Sequence, residues 1–215
     1  LQDKFFTDWN ATARMADDLN FEEKYFPLQK IVSDHAVQIV SSGPDSLDPK
    51  IKHLYMKMFS SAQKSIFIQT PYFVPDISVF EVLQNAINSG IEVNLMIPNK
   101  PDHPFVYRAT EYYASQLADL GANIYIYNNG FLHAKTVVID EETTSIGSAN
   151  MDIRSFSLNF EANSIIYSKD LTKNMLEQFS VDKDMSVNAD SQYFQRQSLF
   201  KKFLQKFSRL LSPLL

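Results

Sequence analysis

Short runs rich in β-branched and aromatic residues alternate along the chain with longer segments in which apolar residues recur every three or four positions. The short runs predict strands near residues 37–41, 65–70, 91–97, 123–127, 133–139, 144–148 and 161–167. The longer segments predict helices near residues 49–62, 77–89, 105–120 and 170–180. Strands that alternate with helices in this way predict an α/β fold, in which a sheet is flanked by helices.

Two of the predicted strands, 133–139 and 144–148, are joined by a connection too short to hold a helix. Strands joined so closely pair antiparallel, whereas strands joined through helices pair parallel. We therefore expect a mixed, mostly parallel sheet. Gly90 and Gly121 each follow a helical segment directly, and we expect both to end their helices in the left-handed conformation that glycine adopts easily.

The C-terminal segment, residues 191–215, differs in charge from the rest of the chain. It carries +5 with no acidic residue, which leaves the remaining residues at −10. Its apolar residues follow the spacing of one helical face, namely Phe200, Phe203, Leu204, Phe207, Leu210 and Leu211. We predict a basic amphipathic helix that ends at Pro213. It would either lie in a membrane interface, with its cations on anionic head groups, or pack on its own domain.

The chain is thus expected to have three parts: a connecting segment at 1–30, an α/β domain at 31–190 and the basic helix at 191–215. The first part is irregular and contains an acidic stretch formed by Asp17, Asp18, Glu22 and Glu23. Because the chain begins at Leu1 without a signal-peptide pattern, we expect it to be an internal piece of a longer protein.

The composition excludes several kinds of chemistry. The chain has no cysteine, which excludes disulfides, thiol nucleophiles and thiolate metal sites. Its five glycines are too dispersed for the glycine-rich loops that cradle nucleotide phosphates. No apolar run approaches the roughly 18 residues needed to cross a bilayer. The chemistry must come from other side chains.

The candidate chemistry lies on the predicted hairpin. His133 and Lys135 are two residues apart on a strand, so they share a face, and an imidazole beside an ammonium suits an anion. Asp140 lies at an odd separation from His133 and is expected to face away, supporting the site. The returning strand would bring Ser148 and Asn150 towards His133, where they could donate hydrogen bonds to phosphoryl oxygens.

A carboxylate is expected to hold the second nitrogen of the histidine. Glu161 is the candidate, because an acceptor there would fix the tautomer that His133 needs to attack or to transfer a proton. A lone histidine with lysine two residues later offers no second or third zinc ligand, so no metal or other cofactor is predicted.

Two further groups of residues have alternative interpretations. Lys100, His103 and Arg108 lie in or beside a proline-rich loop, which is either a substrate loop or a rigid connector with solvated charges. Arg154 could neutralise a second phosphate or pair with Asp152 or Glu161.

Taken together, the hairpin residues resemble the signature of the phospholipase D superfamily. Its H-x-K-x4-D motif is matched by His133, Lys135 and Asp140, its G-S-x-N motif by Gly147, Ser148 and Asn150, and its histidine partner by Glu161. Residues 68–75, 97–107, 129–135 and 149–156 are similar to the C-terminal half of bacterial cardiolipin synthases, and the likeness runs from about Trp9 to Pro213.

This resemblance implies a phosphatidyltransferase of the phospholipase D type, in which one phosphatidylglycerol gives its phosphatidyl group to a second and glycerol is released. Two H-x-K-x4-D motifs meet at one site in that family, with one histidine forming a phosphohistidine while the other moves protons. This chain has one such motif, so it would be the half that carries the second motif. Its implied partners are anionic phospholipid, a membrane surface, and either the N-terminal half of the same protein or a second copy. The resemblance places the full-length protein at the cell membrane.

Two other functions are compatible with the same motif residues. A single-motif phosphodiesterase or nuclease could build its site by homodimerisation, but nucleic acid calls for a basic groove, and the −10 charge of the body argues against it. A non-catalytic lipid-binding module would keep the motif without turnover.

Overall fold

The structure is a computed structural model that describes residues 2–12, 19–20, 22–27, 35–100 and 102–211. The chain divides into two compact units, residues 1–35 and 36–215. The first unit contains helix α1 (Gln2–Thr12) and a short 3-10 helix (Glu23–Tyr25), and the ring of Phe6 packs against those of Tyr25 and Phe26. The ring of Phe6 stacks on that of Phe26 at 5.6 Å between centroids. Of the predicted acidic stretch, Asp17 and Asp18 lie outside the described residues.

The second unit contains all the strands and the remaining helices of the described ranges. The strands are β1 (Ala36–Ser42), β2 (Ser65–Gln69), β3 (Phe73–Val74), β4 (Glu92–Pro98), β5 (Asn123–Tyr127), β6 (Thr136–Ile139), β7 (Thr143–Gly147), β8 (Met151–Asp152), β9 (Glu161–Tyr167) and β10 (Ser186–Asn188). The helices are α2 (Lys50–Ser61), α3 (Ile77–Asn88), α4 (Pro104–Leu120), α5 (Ile153–Ser157), α6 (Lys169–Asp184), α7 (Ser191–Gln195) and α8 (Leu199–Leu210). Every strand and helix predicted from the alternation of patterns is present, whereas the short elements β3, β8, β10 and α5 were not predicted. Helix α1 was not predicted either, because it lies in the segment that was expected to be irregular.

The main sheet has eight strands in the order β1-β9-β7-β6-β2-β4-β5-β10, and β3 pairs with β8 separately. The mixed sheet is confirmed, but it is not mostly parallel. In the described chain, β4 pairs parallel with β2 and β5, while the other five pairings of this sheet are antiparallel. The reason is that β6, β7 and β9 follow one another without long helical crossovers, and the two edge strands β1 and β10 also run antiparallel to their neighbours.

Helices cover both faces of this sheet. Successive residues of β4 point to opposite sides, so Leu95 and Ile97 pack with α2, α3 and α4 in the larger core cluster. Met96 lies between them on the other face, where it packs with Phe179 of α6. Strand β6 is also covered on both faces, and this burial suits its four uncharged residues, three of which are apolar.

Local signals explain where the helices begin and end. The Asp76 carboxylate accepts the backbone N–H of Val79 at 3.0 Å and so caps the first turn of α3. Helix α4 ends at Gly121, whose φ of 108° lies in the left-handed region, and Gly90 after α3 has a φ of 85°. Both glycines therefore adopt the conformation predicted for them.

The C-terminal segment forms two helices instead of one, and the predicted basic amphipathic helix is α8. This helix packs on α4 through its polar side: Gln205 and Ser208 are buried, while Phe200, Phe203 and Phe207 are exposed. The predicted end at Pro213 lies outside the described residues. None of the helices in the ranges given above is long and apolar enough to span a membrane.

Candidate active site

His133 and Lys135 lie in an extended segment just before β6, not within the strand as predicted. Strand β6 begins at Thr136 because its partner β2 ends at Gln69, the residue opposite Thr136. The alternation of side chains nevertheless continues before the strand. Leu132 and Ala134 pack into the core cluster that contains Phe179 of α6. Because successive side chains alternate, His133 and Lys135 point to the other side.

The His133 imidazole is exposed and lies next to an aromatic ring. The centroids of the His133 and Phe131 rings are 5.7 Å apart. Within the described residues, no hydrogen bond joins the His133 ring to Glu161. The Glu161 carboxylate, only 8% exposed, instead accepts the Ser148 hydroxyl and the Asn159 amide, the latter at 3.1 Å. The structure thus brings Glu161 to Ser148, but not into contact with the histidine.

The Lys135 ammonium is partly buried and is influenced by the negative charge of three carboxylates. Its Nζ donates to the backbone oxygen of His133 at 2.9 Å, so the two residues are held together locally. Burial lowers the pKa of Lys135, and the negative charges of Glu161, Asp152 and Asp102 oppose that shift. A cation is therefore kept in a partly desolvated position, where its attraction for an anion is stronger than in water.

The Gly147–Asn150 turn is fastened by backbone hydrogen bonds. The N–H of Ser148 donates to the backbone oxygen of Ala162 at 3.0 Å, and the N–H of Ala162 donates back to the Ser148 hydroxyl at 3.0 Å. The N–H of Asn150 donates to the Ser155 hydroxyl at 3.2 Å. Gly147 is required by close packing, since a Cβ there would lie 2.1 Å from Oδ1 of Asn163.

Asn163 is a residue of the site region that sequence analysis missed. Its side chain is 1% exposed, and its Nδ2 donates to the Tyr55 hydroxyl at 2.7 Å and to Ser145 Oγ at 3.1 Å. Its Oδ1 accepts the N–H of Ala149 at 3.3 Å. Burial raises the pKa of Tyr55 to about 12, so its hydroxyl stays protonated. The alternation of side chains along β9 could have revealed this residue, because Asn163 is two positions before Ile165 and therefore shares its inward face.

Asp140 lies at the far end of β6 from His133. At about 3.3 Å per residue, the two are roughly 20 Å apart along the chain. The Asp140 carboxylate accepts the backbone N–H groups of Gln63, Lys64 and Ser65 at 2.7, 2.8 and 2.9 Å. The structure therefore does not bring Asp140 together with His133 and Lys135; its contacts hold the start of β2 against the end of β6.

A pocket of about 410 Å³ opens between Asn150 and the residues at the start of α4, and sequence analysis did not predict it. It is lined by Tyr72, His103, Val106, Asn150, Asp152, Arg154 and Asn159. The Tyr72 hydroxyl donates to Asp102, which ties the loop before α4 to the pocket wall. Burial raises the pKa of Asp152, and the charge of Glu161 adds to the shift.

Sequence analysis left open whether His103, Arg108 and Arg154 contact the substrate. Two of these three residues line the pocket, and the third does not. His103 and Arg154 are both in its wall. Arg108 is turned elsewhere, with its guanidinium 2.9 Å from the Glu111 carboxylate. Within the described ranges, no group of three or more His, Asp or Glu side chains is placed to hold a metal ion.

These features define a phospholipase D-like domain. They are the mixed sheet, the neighbouring His133 and Lys135, and the turn that carries Ser148 and Asn150. Residues 55–183 match the family described as cardiolipin synthase, PLD-like domain. The match spans more than half of the chain, which therefore belongs to this family.

Curated relatives carry the same name. The chain is 47% identical over all of its 215 residues to a cardiolipin synthase of Listeria welshimeri, of which it covers 44%. It is 46% identical to a cardiolipin synthase of Staphylococcus aureus, of which it covers 43%. The chain thus spans less than half the length of these relatives.

Solved structures share the fold at lower identity. A phosphatidylserine synthase of Haemophilus influenzae superposes with a TM-score of 0.68 at 14% identity, over 84% of this chain and 46% of that one. Nuc, a phospholipase D family member from Salmonella typhimurium, superposes with a TM-score of 0.63 at 21% identity, over 74% of this chain and 100% of that one. At these identities, the likeness shows the fold alone.

Replacing Gly147 with alanine should destabilise the domain by about 3 kcal/mol, because the added Cβ meets a buried amide and a backbone carbonyl that cannot both move. Gly90→Ala is the matched control: a Cβ there meets no atom within 4 Å, and the left-handed φ alone costs about 1 kcal/mol. Urea unfolding of both variants measures the difference. Equal losses would show that the close approach of Asn163 does not constrain Gly147.

Asp140→Ala should lower stability by about 2 kcal/mol at pH 7, since three backbone donors lose their acceptor. Burial raises the pKa of Asp140, but these donors outweigh it and the pKa is lowered. Its contribution is therefore present above the usual pKa of 3.8 and is lost as the pH falls through the lower folded value.

The control for Asp140→Ala is Asp140→Asn. The amide oxygen can still accept from Lys64 and Ser65, which share Oδ1, while the amide NH₂ faces the N–H of Gln63. Its stability should lie between those of the other two proteins. Urea unfolding between pH 7 and pH 3 measures all three. A wild-type advantage over Asp140→Ala that did not shrink below about pH 4 would contradict the assignment.

Proposed function

We propose that this chain is the C-terminal catalytic half of a cardiolipin synthase, which transfers a phosphatidyl group from one phosphatidylglycerol to another and releases glycerol. The observation that carries the proposal is an exposed His133 imidazole next to the partly buried Lys135 ammonium, which interacts electrostatically with Asp152 of the pocket wall. The 47% identity to a named cardiolipin synthase supports the substrate class.

In the proposed reaction, two histidines exchange roles around one phosphorus atom. An imidazole nitrogen attacks the phosphorus of phosphatidylglycerol, so that a P–N bond forms and the P–O bond to glycerol breaks. The other histidine gives its proton to the departing glycerol oxygen. It then takes the proton from a hydroxyl of the second phosphatidylglycerol, whose oxygen attacks phosphorus and breaks the P–N bond. His133 is one of these two histidines.

The other residues of the proposed site stabilise charge and position groups. Lys135 would neutralise the charge that develops on the phosphoryl oxygens in each transition state. The Oδ1 of Asn150 is buried and has no hydrogen-bond partner among the described residues. The Asn150 side chain lies at the pocket wall, and its NH₂ group, which donates to Asp152, would use its second hydrogen to bind the phosphate. Glu161 and Gly147 would hold Ser148 in place, and Asp140 would act at a distance by fixing the end of β6.

A second motif-bearing half is part of the proposal. The chain covers only 44% of the Listeria relative and 46% of the phosphatidylserine synthase, so each has room for another unit of this size. The second histidine would come from that unit, as would the helices that span the membrane. No nucleic acid is proposed as substrate, because the body of the chain carries −10.

A homodimeric phosphodiesterase of the single-motif type is the second candidate function. The observation that favours it is that this chain covers the whole of the Salmonella Nuc chain, so a single unit of this size occurs as a complete family member. In that case, the second histidine would be His133 of the other copy. The third candidate is a non-catalytic lipid-binding module, which would bind lipid equally well after the loss of His133.

His133→Ala in the assembled two-half enzyme should reduce cardiolipin formation by at least about 10³-fold, because a group that makes or protonates the bonds to phosphorus is lost. The matched control is His53→Ala, which removes an exposed histidine paired with Asp48. It should stay within about twofold of wild type. Turnover is measured with phosphatidylglycerol vesicles, and activity retained by His133→Ala would support the non-catalytic module.

Acid quenching with ³²P-labelled phosphatidylglycerol assigns the role of His133. Label bound to the wild type but not to His133→Ala identifies His133 as the nucleophile, whereas label that accumulates on the variant identifies it as the proton carrier. A wild type that never binds label would contradict the phosphohistidine.

The 215-residue chain alone should form no cardiolipin while it is monomeric, because it supplies one of the two histidines. Light scattering establishes the monomer, and turnover is measured before and after addition of the other half. Robust turnover by a verified monomer would refute the two-half site, and turnover that appears only in a dimer would favour the homodimeric phosphodiesterase.

A further inference from the structure

Helix α8 is amphipathic with the opposite orientation to an ordinary surface helix, which buries its apolar side. Its polar residues Gln205 and Ser208 are 4% and 1% exposed. Its large apolar residues are left outside, with Leu199 85%, Phe200 71%, Phe203 63%, Phe207 45% and Leu210 70% exposed. These five residues, called the α8 apolar face below, form a continuous arc of about 100° on a helical wheel.

A buried carboxylate holds α8 in this orientation. Glu111 of α4 is 1% exposed, and its oxygens lie 2.6 Å from the Lys201 ammonium and 3.3 Å from the Gln205 amide. The Arg108 guanidinium approaches the same carboxylate at 2.9 Å. Rotating α8 to bury its apolar face would take Lys201 and Gln205 away from this buried charge and leave it with Arg108 alone, which is unfavourable. The outward direction of the α8 apolar face is thus imposed by the packing beneath it.

Cations border the α8 apolar face along one side. Lys206 lies next to the apolar arc on the helical wheel, and Lys202 and Arg209 follow it. Residues 199–210 contain no acidic side chain. A wide apolar arc with a basic border is the arrangement of helices that lie in a membrane interface, with apolar groups among the acyl chains and cations at the anionic head groups.

We propose that the α8 apolar face docks the domain on the surface of a bilayer that contains anionic phospholipid. Only the choice of phosphatidylglycerol as that lipid rests on the proposed function. Charge complementarity selects the bilayer over a second copy of the chain. In a two-fold dimer formed through this face, Lys202, Lys206 and Arg209 of both copies would border the same interface.

The docked helix would also be joined to the candidate active site through α4. Lys201 and Gln205 contact Glu111, and Arg209 lies over the Tyr112 ring at 5.6 Å, so α8 meets the middle of α4. Helix α4 begins at Pro104, directly after His103 of the pocket wall. A domain docked through α8 would thus be anchored to lipid by the helix that carries one wall of the pocket.

Vesicle co-sedimentation of the 215-residue chain tests the proposal. The probes are vesicles of equal parts phosphatidylglycerol and phosphatidylcholine, and vesicles of phosphatidylcholine alone. Phe203→Ser with Phe207→Ser should weaken binding to the first by at least about tenfold, because both rings would leave the acyl region. The matched control is Leu47→Ser with Ile77→Ser, which removes two exposed apolar side chains outside α8 and should stay within about twofold of wild type.

Further variants distinguish membrane docking by α8 from a folding defect and from a loss of catalysis. Phe200→Ser with Leu210→Ser should repeat the loss, so that a folding defect in one variant, checked by circular dichroism, leaves the test intact. Lys206→Glu should weaken binding to the anionic vesicles and reduce its salt dependence. His133→Ala should bind as wild type does, so a failure of the catalytic proposal leaves this measurement unchanged.

Three results would overturn the proposal. The first is equal binding of anionic vesicles by wild type and both serine variants. The second is binding lost equally in the Leu47 and Ile77 control. The third is a dimer that sedimentation detects in the wild type and that dissociates in the Phe203 and Phe207 variant without any vesicle binding, which would assign the α8 apolar face to a second copy.

Discussion

The hydrogen bonds of the buried Asn163 amide are the constraint on which the candidate site depends. This one side chain joins Tyr55 of α2 and Ser145 of β7 to the backbone of Ala149. Because an amide buried without partners costs on the order of 1–3 kcal/mol, the surrounding groups must keep their positions. The turn that carries Ser148 and Asn150 is therefore fixed by a residue that itself does not reach the pocket.

The electrostatics of the site follow from the same arrangement. The turn places Ser148 against the Glu161 carboxylate, and the negative charges of Glu161, Asp152 and Asp102 act on Lys135. These negative charges favour the ammonium form that burial disfavours. A phosphodiester that binds beside Lys135 would thus meet a charged lysine already held in place, which lowers the reorganisation needed on binding.

Sequence patterns predicted the elements well wherever the signal is local. The alternation of strands and helices, the glycine ends at Gly90 and Gly121, and the amphipathic spacing of α8 are all properties of neighbouring residues. The start of β6 was placed too early because strand pairing ends where the distant Gln69 ends. The balance of parallel and antiparallel pairs also depends on edge strands from distant parts of the chain.

The unpredicted parts of the site and of α8 share a physical cause, which is contact across large sequence separations. Asn163 is tied to Tyr55, 108 residues away, and the outward face of α8 is decided by Glu111, 94 residues from Gln205. Helical spacing shows that a helix has two different sides. Which side meets the protein depends on a partner that spacing does not reveal.

The pairing of β1 with β9 has a consequence for biosynthesis. Ala36 is opposite Tyr167, so β1 cannot pair in the sheet until β9 has been synthesised, more than a hundred residues later. At a ribosomal rate of roughly 5–20 residues per second, that interval is on the order of ten seconds. During it the nascent β1, with Val37 and Ile39, has an open hydrogen-bonding edge, and a chaperone that covers it would protect the chain from aggregation.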